Sequence, residues 1–328
     1  MSGEKKFPRT IAVVGCTASG KSALALELCR RHGGELISMD SMQIYRGMDI
    51  GTAKATEAER SAVAHHMIDF LSPLENYSAE DYRADAMRAL HEIESRGKGA
   101  LFVGGTGLYM DTVIRGAALI SPPSSDEVKA ELLSHTATDE EREVLWQRLQ
   151  EVDPESAAKT HKNNVRRVVR ALEIYELTGK TKTYFDEQSK MTSPEVKIGM
   201  ITLDFHDRDN LYRRVDSRVD LMMKEGLVDE VSSLLSKGLL KKNTTAAQAI
   251  GYKEIVEYLE GESTLDDAVE KLKLSTRRYA KRQLTWFRHN ENAKRLYIDW
   301  KDGKMKSLDE LLSELFTMAD ELIAEHKN

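Results

Sequence analysis

Eight consecutive residues carry the plainest chemistry in the chain: Gly15, Cys16, Thr17, Ala18, Ser19, Gly20, Lys21 and Ser22. The spacing G-x-x-x-x-G-K-[ST] is one with which a backbone turn wraps an anion. Successive N–H groups converge on a phosphate, the lysine neutralises oxygens of a di- or triphosphate, and the final hydroxyl reaches a magnesium ion. Ser22 is therefore the candidate ligand for Mg²⁺. Such a loop points to a polyphosphate but not to which one, nor to what becomes of it. Its surroundings must hold it between a strand and a helix. Ile11 to Val14 is a short β-branched run that reads as a buried strand, and Ala23, Leu24, Leu26 and Leu28 continue as a helix.

Further candidate groups follow. Glu35 to Met39 reads as a second strand ending at Asp40, which is either a carboxylate beside the phosphate site or a turn cap. Tyr45 to Lys54 is glycine-punctuated and reads as a long loop. His65 and His66 lack partners at metal-ligand spacing; they are expected at the surface or in packing, before a strand-like piece ending at Asp69. Ser78 caps a helix reaching Ser95. A third strand, Ala100 to Val103, ends in Gly104-Gly105-Thr106-Gly107, where a typical ATPase would place a magnesium-holding Asp. That argues against simple ATP hydrolysis, unless the glycines merely make a tight turn. Ile198 to Leu203 returns as a strand, and Asp207 caps a helix carrying Arg213, Arg214 and Arg218. Residues 247 to 260 read as an amphipathic helix. Lys271 to Arg288 then carries seven basic residues and no acid, with Tyr279, Trp286 and Phe287 interleaved. Basic and aromatic side chains together suit RNA backbone and exposed bases.

Alternation of strands and helices gives the fold class: α/β, a P-loop-type parallel sheet flanked by helices, with an inserted, mostly helical domain. The insertion is expected over 118–197, entered at Ser121-Pro122-Pro123, with the core at 1–117 plus 198–300. An amphipathic C-terminal helix at 301–328 is expected on the surface. At 328 residues, with 41% hydrophobic and 31% charged residues, this is a soluble globular composition. The net charge of −6 means that any nucleic-acid surface must be local. Two cysteines, a polar start and no long apolar run point to a reducing cytoplasmic setting, with no membrane association. No protein partner is evident and a monomer is expected.

Three stretches taken together are specific: the phosphate loop, Asp40 to Lys54, and Gly104 to Tyr109. With Arg170 to Tyr175, Ile250-Gly251-Tyr252 and Lys281 to Trp286, the chain closely resembles the tRNA dimethylallyltransferases (isopentenyltransferases) over about residues 10 to 300. The resemblance implies that the loop, Gly15 to Ser22, holds the diphosphate of dimethylallyl diphosphate rather than ATP. The dimethylallyl group would pass to the N6 amine of the adenosine 3′ of the anticodon in tRNA.

By the same resemblance, Asp40 is the base or acceptor for the attacking amine, and Thr17 bonds a bridging or leaving oxygen. Lys21, Arg218 and Mg²⁺ at Ser22 would balance the departing charge. Contacts to the tRNA anticodon stem-loop are implied for Asp40, Ser41, Met42, Gln43, Thr106, Lys129, Arg166, Arg167 and Arg170. Gly251, Tyr252, Lys281, Arg282, Gln283, Trp286 and Arg288 complete that set. The chain departs from the family pattern at Cys16 (usually Pro), Met42-Gln43 (commonly Ala-Leu) and Asn164-Val165 (an Asp-Pro pair). Two other readings of the residues are a P-loop small-molecule kinase and a non-catalytic tRNA-binding protein.

Overall fold

The computed structural model describes residues 10–114, 122–190, 196–241 and 244–325. The polar start, Ser121 and the expected boundary at 117/118 lie outside the described residues. Contacts divide the chain into two units, Met1–Val113 with Lys197–Asn328, and Ile114–Val196.

Unit 1 opens with β1 (Ile11–Gly15), α1 (Lys21–His32), β2 (Glu35–Met39), α2 (Glu57–Ala62), β3 (His65–His66), α3 (Ala79–Ser95), β4 (Ala100–Gly104) and α4 (Gly107–Ile114). Unit 2 holds α5 (Asp126–Ser134), α6 (Asp139–Val152), α7 (Pro154–Ala158), α8 (Val165–Thr178) and α9 (Lys182–Lys190). The chain then returns through β5 (Gly199–Asp204), α10 (Arg208–Lys224), α11 (Leu227–Ser236), α12 (Tyr252–Leu259), α13 (Leu265–Arg288), β6 (Lys294–Tyr297) and α14 (Leu308–Glu325).

The strands of unit 1 form one parallel sheet in the order β3-β2-β4-β1-β5-β6. β1 lies between β4 and β5, with Ile11 opposite Leu101 and Gly199. β1, β2, β4 and β5 are buried along their whole length, because helices cover both faces of a parallel sheet. The carboxyl ends of β1, β2 and β4 deliver the phosphate loop, Asp40 and the glycine turn to one edge.

Four elements differ from the sequence expectation. The expected piece ending at Asp69 is not a strand; the strand is His65–His66 itself, because Met67 and Asp69 both take left-handed backbone at φ 60°. His66 Nε2 meets Glu35 at 2.7 Å, joined there by Arg96 and Lys98. The helix expected over 247–260 is shorter: a 3-10 turn (Ala246–Gln248) comes first, and Gly251 at φ 98° starts α12. The C-terminal helix is part of the core, since Leu311, Leu315, Ala319 and Leu322 pack among β1, β5 and α1 residues. Its apolar stripe covers the sheet, and Leu322 closes on Gly199. The edge strand β6 was not expected: Leu296 alone is buried in Lys-Arg-Leu-Tyr.

Candidate active site

The phosphate loop is built by its neighbours in sequence. Ala18 (φ 62°) and Gly20 (φ 89°) both adopt left-handed backbone, and the Ser19 N–H donates to Cys16 O. Alternating hands turn successive N–H groups inward, and α1 begins directly at Lys21. The loop therefore joins a backbone nest to a helix N-terminus, each of which favours an anion. Cys16 is wholly buried in the main core, and burial pushes its thiol up to about 12. Its side chain packs there.

A second positive group comes from α10. Arg214 Nε donates to Ala18 O at 2.7 Å, bracing the loop from outside. One turn later Arg218 reaches Thr52 O at 3.4 Å. Burial lowers the pKa of Lys21, and the nearby Arg218 lowers it further, with Asp40 pulling the other way. Burial likewise lowers Arg218, against the pull of Asp40. Two half-buried cations thus lie near each other with one carboxylate nearby, an arrangement that an arriving polyanion relieves.

Asp40 combines both roles expected of it. Its Oδ1 accepts from the Met42 N–H (2.9 Å) and the Gln43 N–H (3.3 Å), closing a turn at the end of β2. Its other oxygen accepts no hydrogen bond among the described residues. Thr106 Oγ1 accepts from the Ser41 N–H at 3.1 Å, tying that turn to the end of β4. Gln43 fixes the following loop by donating to Thr52 O and Ala53 O. Farther along, the Glu230 carboxylate accepts from the N–H groups of Asp49, Ile50 and Gly51. Lys54, almost fully buried, donates to Tyr45 O and pairs with Asp49 and Asp69.

These elements enclose a cavity of about 510 Å³. Its lining divides by chemistry. Thr17, Lys21, Ser22, Asp40 and Arg218 are polar; Val219, Met222, Ile250 and Leu272 form an apolar wall; Arg278, Tyr279 and Arg282 come from α13. A cavity of this size, with charges converging beside an apolar wall, suits a small ligand. Burial, and then the Asp40 charge, push the Tyr279 phenol up to about 12, so it stays protonated at neutral pH.

Comparison with known proteins agrees with this geometry. A family model described as IPP transferase matches residues 43–290. The chain belongs to the IPP transferase family. It is 47% identical over 308 residues to a tRNA dimethylallyltransferase of Geobacter metallireducens, covering 93% of this chain and 96% of that one. It is 45% identical over 290 residues to a tRNA dimethylallyltransferase of Thermoanaerobacter sp. (strain X514), covering 88% and 91%. Among solved structures, a full-length tRNA isopentenylpyrophosphate transferase from Bacillus halodurans aligns with a TM-score of 0.71 at 39% identity, over 97% of each chain. A eukaryotic dimethylallyltransferase, described as acting on tRNA, aligns with a TM-score of 0.72 at 31% identity, over 88% of this chain and 74% of that one.

In this IPP transferase the expected site residues sort into groups. Thr17, Lys21, Ser22, Asp40, Ser41, Met42, Gln43, Arg218, Arg282 and Gln283 line one cavity. Exposed Lys281 neighbours Arg282 on α13. Several residues expected to touch tRNA also hold the fold. Tyr252 is fully buried, packs on Gly51 and donates to Glu230 at 2.6 Å. The Gly251 N–H donates to Glu254. Arg288 forks onto buried Asp204 (2.9 and 2.6 Å). Trp286 packs over Gly107, where a Cβ would fall 2.4 Å from its ring. Lys271, Lys273 and Arg277 pair with Glu257, Asp220 and Asp216.

Within unit 2, Lys129, Arg166 and Arg167 are exposed. Arg170 is not available in the same way, because it donates to Pro122 O and Pro123 O and pairs with buried Glu173. The residues that sequence reasoning missed are the apolar wall and Glu230. A stripe such as Val219 and Met222 looks like any core-facing helix, and a carboxylate that caps a distant loop leaves no local pattern.

Proposed function

We propose that this chain transfers a dimethylallyl group from dimethylallyl diphosphate to the N6 amine of the adenosine 3′ of the anticodon in tRNA. The observation that supports it best is one cavity holding a carboxylate with an uncommitted oxygen, Asp40, together with Lys21 and Arg218. A kinase could use the same cations and a carboxylate that takes a hydroxyl proton; the similarity to tRNA dimethylallyltransferases favours transfer.

In this reading the diphosphate lies in the nest of Gly15 to Ser22, with Lys21 and Arg218 on its oxygens. The C–N bond forms as the allylic C–O bond breaks, and the electron pair of that bond leaves on diphosphate. The N6 proton passes to Asp40. Cations aimed at the developing charge supply the main stabilisation. Thr17, on the cavity wall, is available to bond the leaving oxygen. The prenyl tail fits the apolar wall of Val219, Met222 and Leu272. Arg278, Arg282 and Lys281 would meet RNA phosphates, and Tyr279 would offer a face to a flipped base.

Magnesium fits the donors present. Ser22 and Asp40 border the same space, and among the described residues no cluster of three or more His, Cys, Asp or Glu is arranged for a metal. A magnesium ion held by one or two protein oxygens plus phosphates and water is a common arrangement. Bound there, it would add positive charge against the leaving diphosphate.

The test incubates the protein with radiolabelled dimethylallyl diphosphate and unmodified tRNA. Label in the adenosine 3′ of the anticodon is expected. Absence of label, with phosphate transfer from ATP to a small metabolite, would overturn the reading.

A further inference from the structure

The side chain of Gln283 does something that neither a diphosphate ligand nor an RNA contact needs to do. It is 7% exposed and joins three elements. Its Oε1 accepts from the Thr17 N–H at 2.9 Å, and its Nε2 donates to Gly105 O at 2.8 Å. A carboxamide accepts and donates at once, and the glutamine side chain is long enough to span both partners. The contact is also shaped to fit: a Cβ at Gly105 would lie 2.3 Å from Gln283 Nε2. Next to it Trp286 covers Gly107, so α13 is seated on the glycine turn at two points.

We propose that Gln283 is a positioning residue for the transfer reaction: it fixes Thr17 and the phosphate loop against the glycine turn. This rests on the reaction proposed above. Thr17 precedes the left-handed Ala18, so the plane of its peptide sets the direction of the whole nest. Arg278 and Arg282 of the same helix line the cavity beside Gln283. One helix thus presents RNA-facing cations and, through Gln283, holds the diphosphate loop in register with them. Reacting groups displaced by about 1 Å can lose about 100-fold in rate.

The test compares the unsubstituted protein with Gln283→Met, which keeps volume but neither hydrogen bond, and Gln283→Asn, which keeps the chemistry but is too short to span both partners. The readouts are kcat for dimethylallyl transfer, affinity for inorganic diphosphate, and affinity for an anticodon stem-loop RNA. We expect kcat to fall by about 10- to 100-fold in both variants, diphosphate affinity to weaken, and RNA affinity to be retained. Unchanged kcat, or lost RNA affinity with kcat retained at saturating RNA, would overturn the proposal. Should a variant not fold, hydrogen exchange on the unsubstituted protein decides. The Thr17 amide is expected to exchange as slowly as those of β1, and fast exchange there overturns the proposal. If the unsubstituted protein transfers nothing, the reaction is wrong; the diphosphate affinities and Thr17 exchange still judge Gln283.

Discussion

Arg288 grips Asp204 with two hydrogen bonds, of 2.9 and 2.6 Å, and that carboxylate is 1% exposed. An arginine that belongs by sequence to a basic stretch expected to face RNA is thereby tied to the end of β5. Removing it leaves a buried charge without its partner, at a cost of about 3–5 kcal/mol. We expect Arg288→Ala to lower the thermal midpoint sharply. By contrast, exposed Arg282 changed to Glu should leave melting nearly unaltered while weakening RNA binding, and should reduce the slope of log affinity against log salt by about 1. Equal melting of the two variants would contradict the assignment.

Asp40→Asn separates the two jobs of this residue. The amide oxygen still accepts from Met42 and Gln43, so the turn survives. The proton acceptor is gone, and transfer should slow by about 10²- to 10⁴-fold. RNA affinity, measured by filter binding, should be retained. Equal loss of affinity and rate would mean that Asp40 mainly shapes the RNA site.

Arg218→Gln tests the paired cations. Removing one preorganised donor to a developing charge costs about 10²- to 10³-fold in kcat. Arg218→Lys should recover only part of this, because a point charge cannot fork onto phosphate oxygens. Steady-state kinetics with dimethylallyl diphosphate distinguish the two, and full recovery with lysine would argue against a bidentate contact.

Gly107→Ala places a methyl group 2.4 Å from the Trp286 ring. Overpacking of this kind costs about 1–3 kcal/mol. Denaturant unfolding should show that loss, whereas no change in midpoint would mean that α13 can lift from the turn freely.

Glu35 supplies a pH prediction. Burial alone would raise its pKa, but hydrogen bonds from Lys98, His66 and Arg96 outweigh burial and hold it at about 2, below its ordinary 4.5. A depressed carboxyl stabilises the fold fully above its unfolded value, and that contribution is lost as pH falls from about 4.5 towards 2. The stability gap between the unsubstituted protein and Glu35→Gln should therefore be widest near neutral pH and close on acidification. A gap that stays constant would show that the ionic partners contribute little.

The four central strands were legible to within a residue because each is a short apolar run bounded by glycine or aspartate and buried on both faces. The edge strands His65–His66 and Lys294–Tyr297 were not, since a strand covered on one side only needs no continuous apolar run. At the site, Lys21 and Asp40 were expected from motif and strand end, and Arg218 from the family resemblance. The fate of individual arginines was not. Arg288 finds Asp204 across 84 positions, and Arg170 finds proline carbonyls 47 and 48 positions away. Such pairings are settled by tertiary packing, to which helical spacing is blind.

The Glu230 carboxylate, holding three successive N–H groups of the loop at residues 49–51, has a kinetic consequence. Ordering a residue of backbone costs about 1–2 kcal/mol. Here that cost is met during folding, so arriving substrate finds a standing wall. Association with this side of the cavity should then be governed by diffusion and electrostatic attraction rather than by a folding step. Tyr252, which bonds the same carboxylate while packed on Gly51, makes any opening of that wall require the start of α12 to give way as well.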